Sequence, residues 1–315
     1  MCLFLAWCDS RGKTAVHDIT CVRIGDRNPG CHCPLRLAFG TVSSKIAQLR
    51  SVFDLVGRVH DNPAKNCLVT TYLEQIREEQ SKARVSPKQA KPLFLDKVSL
   101  ISMYIDRKLS QHELSTPERF IFARDQALLK LMFYGGDRAN DAGLMISQEI
   151  RRLSNDEGFL IKHTWGKTCR VDRPNEFTIL KGGDPVTCPV RGLNLYLREA
   201  ETLGIQLKKG YLFRPVKSGK VLDGPLSYEA IYKRLKFFLG KLHLDSGETP
   251  HSLRGGCAIS MGNAIRTDLE SVMSQVGWSS ESSAKHYARS DWQDQAATMT
   301  HRLSNEHSGP PQNVP

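Results

Sequence analysis

The sequence predicts a mostly α-helical chain with a small antiparallel β-sheet, an α+β fold in which a helical N-terminal block precedes a larger mixed domain. Three observations carry that prediction. From Thr41 onward apolar residues recur every three or four positions, the period of one helix face. Two short runs, Gly158-Phe-Leu-Ile161 and Phe177-Thr-Ile-Leu180, have strand composition and flank a polar hairpin. Helix stop and start signals are frequent: Ser115-Thr-Pro117-Glu118 opens a helix and Gly135-Gly136 ends it, and Thr249-Pro250 opens another that precedes a stop at Gly277.

The elements follow in order. The opening Met1-Cys-Leu-Phe-Leu-Ala-Trp-Cys8 is apolar, short and without a basic flank, which predicts a core strand rather than a signal peptide. Ile46, Leu49, Phe53 and Val56 define one helix, and Leu68, Tyr72 and Ile76 a second. Ser86-Pro-Lys-Gln-Ala-Lys-Pro92 breaks the pattern, and Val98, Ile101 and Ile105 resume it. A strongly apolar helix runs from Ser115 through Phe133, and Cys188 to Leu203 is helical too. Ile231, Leu235, Phe238 and Leu242 mark the buried face of a later helix. After Pro250 comes a helix with His251 and Arg254 on one face, and then one from the capping box Thr267-x-x-Glu270 that buries Leu269, Val272, Met273 and Val276. A short helix from about Ser280 carries Tyr287 in its last turn. Trp292 to Leu303 suits one more helix, and the polar, proline-rich remainder from Ser304 is expected to be disordered.

The bulk properties narrow the partner. A chain of 315 residues is expected to hold about two domains, and 40% hydrophobic with 24% charged residues is ordinary for a globular protein. No apolar run approaches the ~20 residues of a membrane span. The formal net charge of +11 favours a polyanion, nucleic acid before membrane surface, over a merely basic protein. Nine basic residues between Ile205 and Lys241 (Lys208, Lys209, Arg214, Lys217, Lys220, Lys233, Arg234, Lys236 and Lys241) face only Asp223 and Glu229, the strongest local hint of a phosphate-contacting surface. Basic residues scattered over the helices after Thr41 make either a solvated face or a clamp on a DNA backbone.

Five of the nine cysteines fall within the first forty residues: Cys2, Cys8, Cys21, Cys31 and Cys33. His17-x3-Cys21 with Cys31-x-Cys33 could supply four ligands to a structural zinc once the thiols lose their protons. The Cys-x-Cys gap is tighter than usual, and buried free thiols in a loop are the competing reading. Without a secretory signal the cysteines point to a reducing compartment and no disulfide framework.

Placed in order, the chemistry-bearing residues are Arg138, Asp141, Lys167, His251-x-x-Arg254, Trp278 and Tyr287. Each has an ordinary explanation alone: Arg138 and Asp141 a capped surface turn, Lys167 a solvated hairpin tip, His-x-x-Arg a chance spacing. Together they resemble the catalytic set of tyrosine recombinases, the phage integrase family. There an arginine follows a buried helix, a lysine sits on a β-hairpin, His-x-x-Arg opens a later helix, and His or Trp precedes the nucleophilic tyrosine by nine residues, the interval from Trp278 to Tyr287. Gly136-Asp-Arg138-Ala, His163-Thr-Trp-Gly-Lys-Thr168 and His251-Ser-Leu-Arg-Gly255 are similar to eukaryotic mobile-element recombinases of the Crypton and DIRS type. Asp141 stands where many members have Glu, and Trp278 where many have His.

Composition sets off a cysteine-containing head over 1–40 and a polar tail over 304–315, and the resemblance, which covers roughly Thr41 to Leu303, implies a helical core-binding domain over 41–112 and a catalytic domain over 113–303. It implies a site-specific recombinase or integrase acting on double-stranded DNA through a 3′-phosphotyrosyl intermediate. No cofactor is expected for catalysis, and a homotetramer on paired sites and a nuclear location are expected. Two alternatives stay open: a type IB topoisomerase-like activity, against which the close Trp278–Tyr287 spacing argues, and a non-catalytic DNA-binding relic of a mobile element.

Overall fold

The computed structural model describes residues 1–26, 30–86, 90–167, 169, 172, 174–262, 268–278, 280–282 and 284. The chain divides into two compact units, Met1–Gln89 and Ala90–Pro315. It is mostly helical with small antiparallel sheets, as the sequence predicts.

The first unit begins with helix α1 (Cys2–Asp9), where the sequence suggested a strand. Leu5 of α1 is fully buried beside Val42 and Ile46, so the apolar run serves a helix–helix contact. A two-residue antiparallel pair follows, β1 (Thr14–Ala15) with β2 (Leu35–Arg36). Then come α2 (Phe39–Leu55) and α3 (Cys67–Lys82), whose Val69 and Ile76 complete the small core. Val56 and Leu68, expected on buried faces, are exposed. Buried Gln80, near the end of α3, ties that helix to the start of α2: its amide donates to the Leu37 carbonyl at 2.7 Å and its oxygen accepts the Phe39 N–H at 2.8 Å. Asp9 accepts from the Leu37 N–H at 2.9 Å and pairs with Arg36.

The second unit is built on α5 (Thr116–Tyr134), between α4 (Leu95–Leu109) and the later α7 (Pro189–Thr202). The box at Ser115 and Glu118 caps α5 as expected, the Glu118 carboxylate accepting the Ser115 N–H at 2.9 Å. Val98, Ile101 and Ile105 of α4 are buried against this core. After α6 (Ala139–Leu144) comes a three-stranded antiparallel sheet, β3 (Ile150–Arg152), β4 (Gly158–His163) and β5 (Asn175–Leu180), of which the sequence predicted the last two. The Cys188 thiol accepts the Arg191 N–H at the start of α7. A small hairpin, β6 (Val216–Lys217) with β7 (Lys220–Val221), leads into α8 (Tyr228–Lys241), whose Ile231, Leu235, Phe238 and Leu239 are buried.

α9 (Pro250–Gly262) starts at the proline that predicted it. α10 (Leu269–Val276) is capped by Asp268, whose carboxylate accepts the Ser271 N–H at 2.7 Å, one position after the expected Thr267, which lies outside the described residues. Val272 and Val276 are buried as expected, whereas Leu269 is exposed. The helix stops at Gly277, in the left-handed region at φ 67°. Among the described residues no helix is long and apolar enough to cross a membrane.

Candidate active site

The turn after α5 is the joint on which the site is assembled. Gly136 takes φ 60°, and a β-carbon there would lie 2.9 Å from the Val276 Cγ2, so both backbone and space require glycine. Arg138 is the N-cap residue of α6 and Asp141 lies in its first turn. Arg138 Nη1 donates to Asp141 Oδ2 at 3.3 Å, which holds a guanidinium in place beside a helix N-terminus.

The hairpin from β4 reaches the same carboxylate. Thr164 donates its N–H and its hydroxyl to Glu149 Oε1, each at 2.6 Å, while Glu149 Oε2 accepts the Ile146 N–H at 3.0 Å. Gly166 then packs so tightly on Asp141 that an added β-carbon would lie 2.9 Å from its carboxyl carbon. The Lys167 N–H donates to Asp141 Oδ1 at 3.4 Å, and the Lys167 side chain is exposed. One carboxylate therefore fixes both the arginine and the main chain that bears the lysine.

α9 is aimed by what precedes it. Glu248 is buried, pairs with Lys97 of α4 and accepts the Ser246 N–H at 2.7 Å. Burial would raise its pKa, but Lys97 and that N–H outweigh the effect and lower it. Lys97 also donates to the Leu244 carbonyl at 2.8 Å, so α4 sets where α9 begins. His251 lies exposed on the first turn, and Arg254 is buried one turn on. Arg254 Nη1 donates to the Gly136 carbonyl at 2.6 Å and to the Val276 carbonyl at 2.7 Å. Its guanidinium carbon lies 5.3 Å from the centre of the Trp278 ring. Tyr287, with Lys285 and His286, lies outside the described residues.

In the first unit His17, Cys21, Cys31 and Cys33 bring their ligand atoms within 4.8 Å of one another. His17 Nδ1 lies 3.5 Å from the Cys21 sulfur and 3.3 Å from that of Cys31, while Nε2 meets the Asp26 carbonyl at 2.8 Å. That carbonyl accepts from Nε2–H, which leaves Nδ1 as the metal-facing nitrogen. A tetrahedron with zinc–sulfur bonds of ~2.3 Å has edges of about 3.8 Å, so the four donors fit one such ion.

A family model for the phage integrase family matches residues 112–294, more than half of the chain. The chain belongs to the phage integrase family. Its integrase-family segment contains all seven positions from Arg138 to Tyr287 singled out by the sequence. Among solved structures it is similar to a Tn1549 transposon integrase bound to transposon right end DNA (12% identity, 85% of this chain and 80% of that one, TM-score 0.52). It is also similar to a XerH site-specific recombinase in a post-cleavage complex with palindromic difH substrate (20% identity, 70% of this chain and 55% of that one, TM-score 0.50). At those identities the likeness speaks for the fold.

A second model, the ALOG domain, matches residues 1–78, which include the His–Cys cluster. Over this region the chain is 41% identical across 91 residues to Protein G1-like9 of Oryza sativa subsp. indica (28% of this chain, 32% of that protein). It is 39% identical across 88 residues to Protein LIGHT-DEPENDENT SHORT HYPOCOTYLS 5 of Arabidopsis thaliana (27% of this chain, 48% of that protein). The chain thus spans about a third to about half the length of these curated relatives.

The integrase-family unit corrects one inference and adds another. Of the nine basic residues between Ile205 and Lys241, Arg214 is buried and donates to the carbonyls of Tyr211 and Lys209, at 2.8 and 2.6 Å. Arg234 turns inward onto buried Asp125 and stacks on Phe237. These two are scaffold; Lys233, by contrast, is exposed. Asp137 and His163, which the sequence did not assign to the site, form a buried pair with Nε2 2.9 Å from Oδ1. The contact lies off the N–H direction, so charge holds it more than a linear hydrogen bond does. Burial alone would lower the His163 pKa, but Asp137, then Glu149 and Asp141, raise it to about 9.

Proposed function

We propose that this chain is a site-specific DNA strand-transfer enzyme that cuts and rejoins double-stranded DNA through a covalent bond to Tyr287. The observation that carries the reading is the shared Asp141 carboxylate, which holds Arg138 and the Lys167 backbone, on a turn whose Gly136 carbonyl also holds Arg254. Arg138 and Arg254 grip the non-bridging oxygens of one phosphodiester and neutralise charge as the transition state forms. Trp278 donates its indole N–H to a phosphate oxygen, and His251 assists the tyrosine proton or the phosphate. A phenol with an ordinary pKa near 10 needs such surroundings to act as a nucleophile. Tyr287 attacks phosphorus, the P–O5′ bond breaks, and Lys167 protonates the departing oxygen. Ester exchange conserves the bond energy, so the step needs neither ATP nor a cofactor.

Around this chemistry the reading adds partners. Four copies act on two DNA sites, with the segment from Trp292 to Leu303 docking into a neighbouring copy; that segment lies outside the described residues. Crosslinking on paired sites with residues 291–315 deleted reads this, and unchanged tetramers would refute it. A structural zinc is held by His17, Cys21, Cys31 and Cys33, and the helices after Thr41 grip the DNA backbone. The chain works in the nucleus on behalf of a mobile element, as its resemblance to Crypton and DIRS-type recombinases suggests; a fluorescent fusion excluded from nuclei would contradict this.

The test uses a nicked duplex copied from the repeat that flanks the gene. Wild type should form a covalent protein–DNA band, Tyr287→Phe should abolish it, and Arg138→Ala should slow it by about 10²–10³. Tight binding of that duplex with no covalent band in wild type would make the protein a non-catalytic binder. Supercoil relaxation without strand exchange on paired sites would make it a topoisomerase.

A further inference from the structure

The Lys167 hairpin has two anchors at its foot, of different chemistry. Thr164 is tied by neutral donors to Glu149. His163, the last residue of β4, is tied by charge to Asp137. Their side chains are only 3% and 6% exposed. Asp137 stands between Gly136, whose carbonyl accepts Arg254, and Arg138 itself. Three carboxylates face the imidazole from three elements: Asp137 from the turn, Glu149 from the short helical turn before β3, and Asp141 from α6. β5 presents Phe177, 5.9 Å away ring to ring, with Asn175 opposite in register. A neutral core would be cheaper to bury than this pair, because two charges lose their water. What the pair adds is a fixed distance between the arginine turn and the strand that delivers the lysine.

We propose that His163 and Asp137 are positioning residues for protonation of the departing 5′-oxygen, locking the foot of the Lys167 hairpin to the turn that carries Arg138. The proposal rests on the strand-transfer reading above. In that step the Tyr287 oxygen bonds to phosphorus, the P–O5′ bond breaks, and the Lys167 ammonium proton passes to O5′. A displacement of ~1 Å in such a donor costs up to ~10²-fold in rate, so a loose hairpin foot should act on this proton transfer.

The experiment compares two nicked duplexes copied from the flanking repeat. One carries the ordinary phosphodiester at the cleavage position and the other a 5′-bridging phosphorothiolate. A thiol leaving group, with a pKa near that of cysteine at about 8.5, departs without a proton. In single-turnover cleavage by the full chain, His163→Gln and Asp137→Asn should each slow the ordinary substrate about 10–100-fold. On the phosphorothiolate both should come within about threefold of wild type, the pattern expected of Lys167→Ala at larger amplitude. The double variant, which replaces the ion pair by two amides able to hydrogen-bond, guards against misfolding and should show the same selective rescue. An equal deficit on both substrates would overturn the proposal in favour of a purely structural pair, and wild-type rates in the variants would overturn it outright.

Wild-type protein that cleaves neither duplex would defeat the strand-transfer reading, and the catalytic role with it. The pair itself is read separately by the imidazole ¹⁵N resonances of the full chain. His163 should stay protonated to about pH 9 and fall to ordinary histidine behaviour in Asp137→Asn; titration near 6.5 in wild type would overturn the pairing.

Discussion

Gly136, Asp137 and Arg138 are consecutive, and each holds a different part of the site: an arginine of α9, the end of β4, and the carboxylate of α6. The middle one gives the fold a pH dependence of definite sign. His163 is raised from its ordinary 6.5 to about 9 in the folded chain, so the folded state binds its proton more tightly than the unfolded one. The resulting stabilisation is fully present below about pH 6.5, declines as pH rises, and is gone above about 9. Urea unfolding of the full chain should therefore show stability falling across that window, and His163→Gln should flatten the fall; parallel profiles would contradict the assignment. The positions of Arg138 just behind α5 and of His251 and Arg254 early in α9 were legible in the sequence because caps, prolines and helix spacing are local signals, whereas a catalytic role for them came only with the family resemblance. The His163–Asp137 pair was not, since it joins a strand to a turn and only the tertiary fold brings them together. Arg214 and Arg234 were misjudged for a related reason: a count of charges does not say which guanidinium faces inward.

Helices with explicit start signals were readable as elements: α5 from its Ser115–Glu118 box and α9 from Pro250. α1 was not, because eight apolar residues without polar interruption lack a period that separates strand from buried helix. β3 was missed too, being only three residues long and polar in two of them. The connection between α4 and α9 was likewise invisible, though it sets where the His-x-x-Arg helix begins. Lys97 reaches from α4 to buried Glu248 and to the Leu244 carbonyl just before α9. Lys97→Met would leave the Glu248 carboxylate buried without its cation, which should cost roughly 3 kcal/mol of stability. Lys97→Met combined with Glu248→Gln should recover most of it, because no orphaned charge remains. Denaturant midpoints of the two variants decide the matter; equal loss in both would mean that packing, not charge, holds the start of α9.

At the scale of the molecule, the two units have separate hydrophobic cores of very different size. The larger runs from α4 through α9 and includes the sheet. Among the described residues the smaller is Leu5, Val42, Ile46, Ala64, Val69 and Ile76, few buried groups for the length of chain they must order. Small cores of this kind usually depend on a staple, a disulfide or a metal. Among the described residues Cys8, Cys21, Cys31, Cys33 and Cys67 of the first unit are free thiols, and His17, Cys21, Cys31 and Cys33 converge between β1 and β2 in the sequence. A zinc bound there would tie that long connection together and couple folding of this unit to the metal. Calorimetry of the zinc-loaded full chain should then resolve two transitions. A strong chelator should lower one by many degrees and leave the other in place, and Cys33→Ser should reproduce the shift without chelator. A chain that shows the same two transitions with and without chelator, and no zinc by elemental analysis, would assign the small core's stability to its polar ties, Gln80 and the Asp9–Arg36 pair, instead.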